Sequence, residues 1–101
     1  MSWNGIKYFE DYVVSEQFTA TISDTSIIPT AFTATLPGDL LRIIMIPQGD
    51  MYYNIGSDAS ASTAKLTSTL ALNMPTTKTL ADTIQVYADT VVCDLLVCTP
   101  R

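Results

Sequence analysis

Few side chains in this sequence have the types and spacing that catalysis requires. The 101 residues include no histidine, and histidine is the commonest general base, the usual partner of serine and cysteine nucleophiles, and the commonest zinc ligand. None of the four glycines lies close enough to another to form a phosphate-binding loop. These absences predict a protein that is not an enzyme, with no catalytic residue and no cofactor.

The thiols and carboxylates form no cluster with a recognised spacing. Cys93, Asp94 and Cys98 match no metal site and lie in an apolar context, so no metal site is predicted. The two cysteines, five residues apart on one strand, point to opposite faces and cannot bridge each other, so we expect buried free thiols. Four acidic residues are interpreted as solvated surface groups rather than as the catalytic carboxylate pair of a glycosidase: Glu10, Asp11, Asp50 and Asp58.

The aromatic side chains are the remaining candidates for contact chemistry. Four of the nine aromatic residues fall in the first 12 positions: Trp3, Tyr8, Phe9 and Tyr12. Such a segment is predicted to pack on its own domain or on a neighbouring subunit. Tyr52 and Tyr53 put one ring on each face of a strand, where an exposed ring can stack on a sugar, although core or interface packing is the commoner role. We treat all six residues as candidate interface residues.

Charge and hydrophobicity narrow the range of partners. The net charge of -5 disfavours nucleic acid and anionic membranes, because both are polyanions. The N-terminus lacks the features of a signal peptide, and no apolar run has the ~20 residues of a membrane span. With 48% hydrophobic and only 15% charged residues, so small a domain cannot hide all its apolar side chains. The surplus predicts assembly with other copies or with a partner.

Short alternating segments separated by turn residues predict an all-β fold. We expect an N-terminal aromatic arm at residues 1–15 and a small antiparallel β-sandwich, jelly-roll or Ig-like, at residues 16–101. The segment 40–55 is predicted to be a β-hairpin that turns at Pro47–Asp50, and 56–65 a surface loop. In the first hairpin strand Leu41, Ile43 and Met45 share one face. Both faces of that strand are expected to be covered, by a second sheet and by a loop or a neighbouring subunit. A helix over 62–72 competes with a strand at 66–73, and Pro75 is expected to stop either. The other predicted strands are 17–23, 27–35, 77–80, 83–88 and 91–99.

Three segments together resemble small β-sandwich virion proteins of tailed bacteriophages. They are Leu36-Pro37-Gly38-Asp39-Leu40-Leu41-Arg42-Ile43, Tyr53-Asn54-Ile55-Gly56-Ser57-Asp58-Ala59 and Ala81-Asp82-Thr83-Ile84-Gln85-Val86-Tyr87-Ala88. In such proteins a Tyr-x-Ile-Gly strand opens a small-residue loop, and a short strand pair closes the domain. The resemblance covers about residues 30–99 and leaves the aromatic arm outside.

The resemblance implies a capsid decoration (cement) protein or a related head or tail structural protein. Its expected partners are further copies of itself, in a homo-oligomer for which a trimer is one expected form, and the major capsid protein. Its expected location is the capsid surface of the virion, after synthesis in the host cytoplasm. A tail or head–tail structural protein is one alternative. A carbohydrate-binding or receptor-adhesion module that uses Tyr52 or Tyr53 and the loop at 56–65 is another.

Overall fold

The computed structural model describes residues 12–100, which form eight strands and two single-turn helices. In chain order these are β1 (Tyr12–Ile22), β2 (Ser26–Ile27), α1 (Ile28–Ala31), β3 (Leu41–Pro47), β4 (Met51–Ile55), β5 (Ala64–Leu66), β6 (Leu72–Thr76), α2 (Lys78–Ala81), β7 (Ile84–Tyr87) and β8 (Val91–Pro100).

The strands form two four-stranded antiparallel sheets. Sheet A has the order β1-β8-β3-β6, and sheet B has the order β2-β7-β4-β5. The pairing is nested: β1 pairs with β8, β2 with β7, β3 with β6, and β4 with β5. A long antiparallel ribbon wrapped in this way, alternating between two sheets, is a jelly roll. The predicted all-β antiparallel sandwich is confirmed, and of its two predicted forms the jelly roll is the one observed.

The core lies between the inner faces of the two sheets. On β3 the predicted alternation is confirmed, because Leu41, Ile43 and Met45 are fully buried. Their register partners on β8 place Leu95 and Val97 on the same inner face, also fully buried. Sheet B contributes further apolar side chains from its own inner face: Met51, Leu66, Ile84 and Val86.

The predicted hairpin at 40–55 is wrong. Its two strands exist as β3 and β4, but β3 belongs to sheet A and β4 to sheet B. The Pro47–Asp50 turn therefore carries the chain from one sheet across to the other. On the second face of β3, for which a loop or a neighbouring subunit is the predicted cover, Ile46 is 38% exposed in this chain.

Two predicted strands are instead single helical turns. In the predicted segment 27–35, Pro29 occupies the first turn of α1, where its fixed φ favours a helix, and the Phe32 amide donates to the Ile28 carbonyl at 3.0 Å. In the predicted segment 77–80, the Thr77 hydroxyl accepts from the Leu80 amide at 3.2 Å and caps α2. In both places local capping chemistry outweighs the threonine-rich composition that suggested strands.

The segment 62–76 also differs from both predicted forms. Neither the helix over 62–72 nor a single strand at 66–73 forms, because the chain leaves sheet B after Leu66 and enters sheet A at Leu72. Pro75, predicted to stop the strand, lies within β6. It is tolerated there because β6 is an edge strand, which needs hydrogen bonds on one side only.

The last two predicted strands are confirmed as β7 and β8. Cys93 is paired with the inward-facing Pro47, whereas Cys98 is paired with Arg42 on the opposite face, so the two thiols do face opposite sides of sheet A. Both are buried and free, as predicted. The first strand is longer than predicted, since β1 begins at Tyr12, within the segment assigned to the arm.

Candidate interaction surfaces

The structure locates three of the six candidate interface residues. Trp3, Tyr8 and Phe9 lie outside the described residues. Tyr12 begins β1, and the Arg42 guanidinium carbon lies 5.4 Å from the centre of its ring. This distance allows a cation–π contact, so the Tyr12 ring packs against its own domain on the outer face of sheet A.

The outer face of sheet A carries an apolar strip. It is made by β-branched and leucine side chains from three neighbouring strands: Val14 on β1, Val92 and Leu96 on β8, and Ile44 and Ile46 on β3. Ile44 and Leu96 are register partners. The exposed fractions of Val14 and Val92 are 51% and 36%. This strip is part of the apolar surplus that the composition predicts.

Hydrogen-bonded polar groups lie within and beside the apolar strip. Asp94 interrupts the strip on β8, because it lies opposite Ile46 and between the two apolar strip residues of its own strand. Its carboxylate accepts a hydrogen bond from the Thr19 hydroxyl at 2.6 Å. On the β6 side an Arg42 guanidinium nitrogen donates to the Asn73 side-chain oxygen at 2.7 Å. The apolar strip is therefore divided by a hydrogen-bonded polar pair.

The outer face of sheet B carries a tyrosine platform, formed by Tyr52 on β4 and Tyr87 on β7. The two residues are register partners, with ring centres 6.1 Å apart and planes inclined by 37°. Lys65 is paired with Tyr52 from the other side, and its ammonium lies 3.1 Å from the Asp50 carboxylate. The hydrogen bond to Asp50, with the charge of that carboxylate, raises the pKa of Lys65 above its ordinary value.

The tyrosine platform includes only one of the two tyrosines predicted for this strand. Tyr53 is partly buried and packs against the core, so the rings of Tyr52 and Tyr53 do lie on opposite faces. Tyr87 was not among the predicted interface residues. The alternation of β7 could have identified it, because Gln85 and Tyr87 lie together on the face away from Ile84 and Val86.

Two amide side chains lie beside the tyrosine platform. Asn54 and Gln85 are register partners one step along the same face. The Asn54 side-chain nitrogen donates to the Ser57 hydroxyl at 3.0 Å and to the Asp58 carbonyl at 3.2 Å, which fixes the start of the following loop. The Gln85 side-chain oxygen is buried and has no hydrogen-bond partner among the described residues.

Within residues 12–100, no three histidine, cysteine, aspartate or glutamate side chains gather into a group that could hold a metal ion. In the same part of the chain no helix has the length and hydropathy to cross a bilayer. Fold and surfaces together define a small jelly-roll domain with an apolar strip on one outer face and paired tyrosines on the other. No family model, curated protein or solved structure matches the chain.

Proposed function

We propose that this protein is a non-enzymatic structural protein that docks on a larger assembly through the apolar strip. The observation that carries the proposal is the exposure of Val14, Ile46 and Val92 on one face of sheet A. Exposed apolar side chains that share one sheet face, here on either side of the hydrogen-bonded pair Thr19–Asp94, can mark an interaction site. A domain with this composition has an energetic reason to cover them, because removing apolar surface from water is favourable.

Within that class, the proposed role is capsid decoration in a tailed bacteriophage, with the major capsid protein and further copies of this chain as partners. Two features support it: the resemblance of residues 30–99 to small phage virion proteins, and the jelly-roll topology, which viral capsid proteins use. Lectins and cupins use the same fold, so topology alone does not select the role. A tail or head–tail location is the related alternative.

The physical benefit of such binding follows from mass action. A protein that binds the assembled shell but not free subunits stabilises the shell, by an amount that grows with the free concentration of the bound protein. No catalytic group is needed for this effect.

Placing charge on the apolar strip tests the proposal. We expect the double variant Ile46→Asp with Val92→Asp to bind phage heads that lack this protein at least about tenfold more weakly, because two carboxylates would lose water at the contact without a partner. Co-sedimentation with purified heads measures the binding. The matched control is Leu70→Asp, since Leu70 is exposed in the connection between β5 and β6 and is not a residue of the strip.

The monomer should tolerate both sets of changes, because all three positions are exposed. Circular dichroism of each variant checks this. If the double variant folds and binds heads as well as the wild type does, the apolar strip is not the docking surface. If the wild type itself does not bind heads, the decoration role is wrong and tail assemblies are the next preparation to test.

A second candidate function, carbohydrate binding, is favoured by the tyrosine platform. Paired rings can stack on the apolar face of a sugar, with Lys65 and Asp50 beside them as hydrogen-bonding groups. We expect any glycan bound on an array to be lost in Tyr87→Ala and kept in Tyr12→Ala, which removes a ring on the other sheet. An array without a binder at millimolar glycan would exclude this function.

A further inference from the structure

β1 is one of the two edge strands of sheet A. The four sheet edges are β1, with 11 residues, β6 with 5, β5 with 3 and β2 with 2. Natural sheets guard their edges with short strands, prolines or lysines, because an open edge is a template for pairing. β2 and β5 are short, β5 also carries Lys65, and β6 carries Pro75. Among the edge strands of residues 12–100, β1 is the long one without proline or lysine, and its β-bulge lies between Val14 and Glu16, outside the regular stretch 17–22.

The direction of the free backbone groups in β1 follows from its partner β8. The Gln48 amide donates to the Val92 carbonyl at 2.8 Å, so the backbone of Val92 faces away from β1. Because backbone groups alternate in direction along a strand, Cys93 and Leu95 face β1 with their N–H and C=O groups. The Ser15 hydroxyl, which donates to the Val97 carbonyl at 3.1 Å, agrees with this alternation.

The residues of β1 opposite Cys93 and Leu95 are Ala20 and Phe18, which therefore bond to β8. The residues between and beside them turn their N–H and C=O groups away from β8. These residues, which we call the free edge, are Gln17, Thr19 and Thr21. Among the described residues no strand pairs with them. Their spacing of two makes the free edge symmetric about Thr19.

We propose that two copies of this chain pair through the free edge, β1 against β1, about a two-fold axis at Thr19. In this register Thr19 lies opposite Thr19 of the second copy, and Gln17 lies opposite its Thr21. Each such pair exchanges two backbone hydrogen bonds, about six in all. Registers centred on Phe18 or Ala20 use fewer of the free groups and give about four. The Thr19 register satisfies every group of the free edge.

The symmetry of the free edge about Thr19 favours a second copy as the occupant, and the charges along β1 permit it. Glu16 is the only charged residue of the strand, so two chains of net charge -5 can approach here with little repulsion. The proposed register sets Glu16 opposite Ile22 of the second copy rather than opposite its own counterpart. The bulge between Val14 and Glu16 ends the regular pairing on that side.

The resulting dimer has one continuous eight-stranded sheet. Its two-fold axis is perpendicular to the sheet, so both apolar strips lie on the same side. The pairing is independent of the docking proposal, because it uses backbone groups at the edge of sheet A rather than side chains on its outer face. A dimer can form whether or not the protein binds phage heads.

Amide hydrogen exchange of the wild-type chain, with light scattering over a concentration series, tests the pairing. We expect a dimer, and exchange at Gln17, Thr19 and Thr21 that slows at least about tenfold as the dimer forms. A monomer at all concentrations would overturn the proposal. An oligomer in which these amides exchange fast would also overturn it. A monomer in which these amides already exchange slowly would do the same, because the chain would then cover its own edge. A trimer would also overturn it, because a three-fold axis cannot pair β1 with β1.

A proline variant gives a second test. Thr21→Pro removes an N–H that points away from β8, and proline is tolerated at an edge with that geometry. We expect the variant to fold and to dimerise at least about tenfold more weakly than the matched control Thr21→Val, which keeps the N–H. A folded Thr21→Pro protein with unchanged dimerisation would contradict the pairing. Head binding, measured on the same preparations, reports separately on the docking proposal.

Discussion

Leu95→Ala is expected to lower the free energy of unfolding by about 3 kcal/mol. Leu95 lies on β8, between β1 and β3, and its side chain is fully buried on the inner face of sheet A. Truncation removes apolar contacts and leaves a cavity that the neighbouring strands cannot fill, because each is held by its hydrogen-bond ladder. Since small domains are stable by about 5–15 kcal/mol, the loss is a large fraction of the total.

Urea denaturation followed by circular dichroism measures this change. The control is Leu70→Ala, the same chemical change at a side chain that is 59% exposed. Its free energy of unfolding should stay within about 0.5 kcal/mol of the wild type. If the two variants lost similar stability, the placement of Leu95 in the core would be wrong.

Stability should also fall steeply in alkali because of Cys93. Burial, with a further contribution from the Asp94 charge, raises the pKa of the Cys93 thiol from 9.0 to about 12. Between these values the unfolded chain loses the thiol proton and the folded chain keeps it. The folded state then binds one more proton, so the free energy of unfolding falls by up to about 1.4 kcal/mol per pH unit. Below pH 9 the thiol causes no pH dependence.

Urea denaturation of the wild type and of Cys93→Ala, at several pH values between about 8 and about 11, measures this effect. The comparison separates the thiol from tyrosine and lysine, which titrate in both proteins. We expect the wild-type curve to fall more steeply than that of the variant over this range. Parallel curves would mean that the thiol is not buried as described. Cys98→Ala is a useful comparison: burial raises the pKa of Cys98 as well, but the nearby Arg42 charge opposes the rise.

The sequence predicted what depends on local alternation. The strands β7 and β8 are observed where expected, β7 from residues that alternate between apolar and polar and β8 from the apolar run that follows the Asp89–Thr90 turn. On β3 the sequence predicted which residues share a face, but both faces are largely apolar, so it could not predict which face meets the core. The fold class follows from the number and spacing of such segments. These features need no knowledge of which strands are neighbours.

Strand partners could not be predicted, because they depend on contacts between distant residues. Pro47–Asp50 has the composition of a hairpin turn, and the same composition serves a turn that crosses between sheets. The strand pairing distinguishes a hairpin turn from a turn between sheets: β3 pairs with β6 and β8, whereas β4 pairs with β5 and β7. The single-turn helices are different, since Pro29 and Thr77 are local signals that were present in the sequence.

The candidate surfaces were partly predictable. The excess of apolar residues predicted an exposed apolar surface, but its position on the outer face of sheet A required the register of three strands. Tyr52 was identified, and its neighbour Tyr87 was not, because cross-strand pairs are invisible until the register is known. The predicted contacts of Trp3, Tyr8 and Phe9 stay predictions.

The nested pairing of the strands also governs how the chain reaches its fold. β4 and β5 are close in sequence and can meet early, whereas the Tyr12–Pro100 pair closes a loop that spans nearly all the described residues. Long loops close slowly, and proteins rich in distant pairings fold slowly as a class. During synthesis, β1 and β3 have no β8 to pair with until residues 91–100 leave the ribosome. β3 can pair with β6 once residues 72–76 emerge, whereas β1 has no other neighbour in sheet A. A nascent chain therefore leaves β1 unpaired for longest, and β1 is the strand at greatest risk of pairing wrongly.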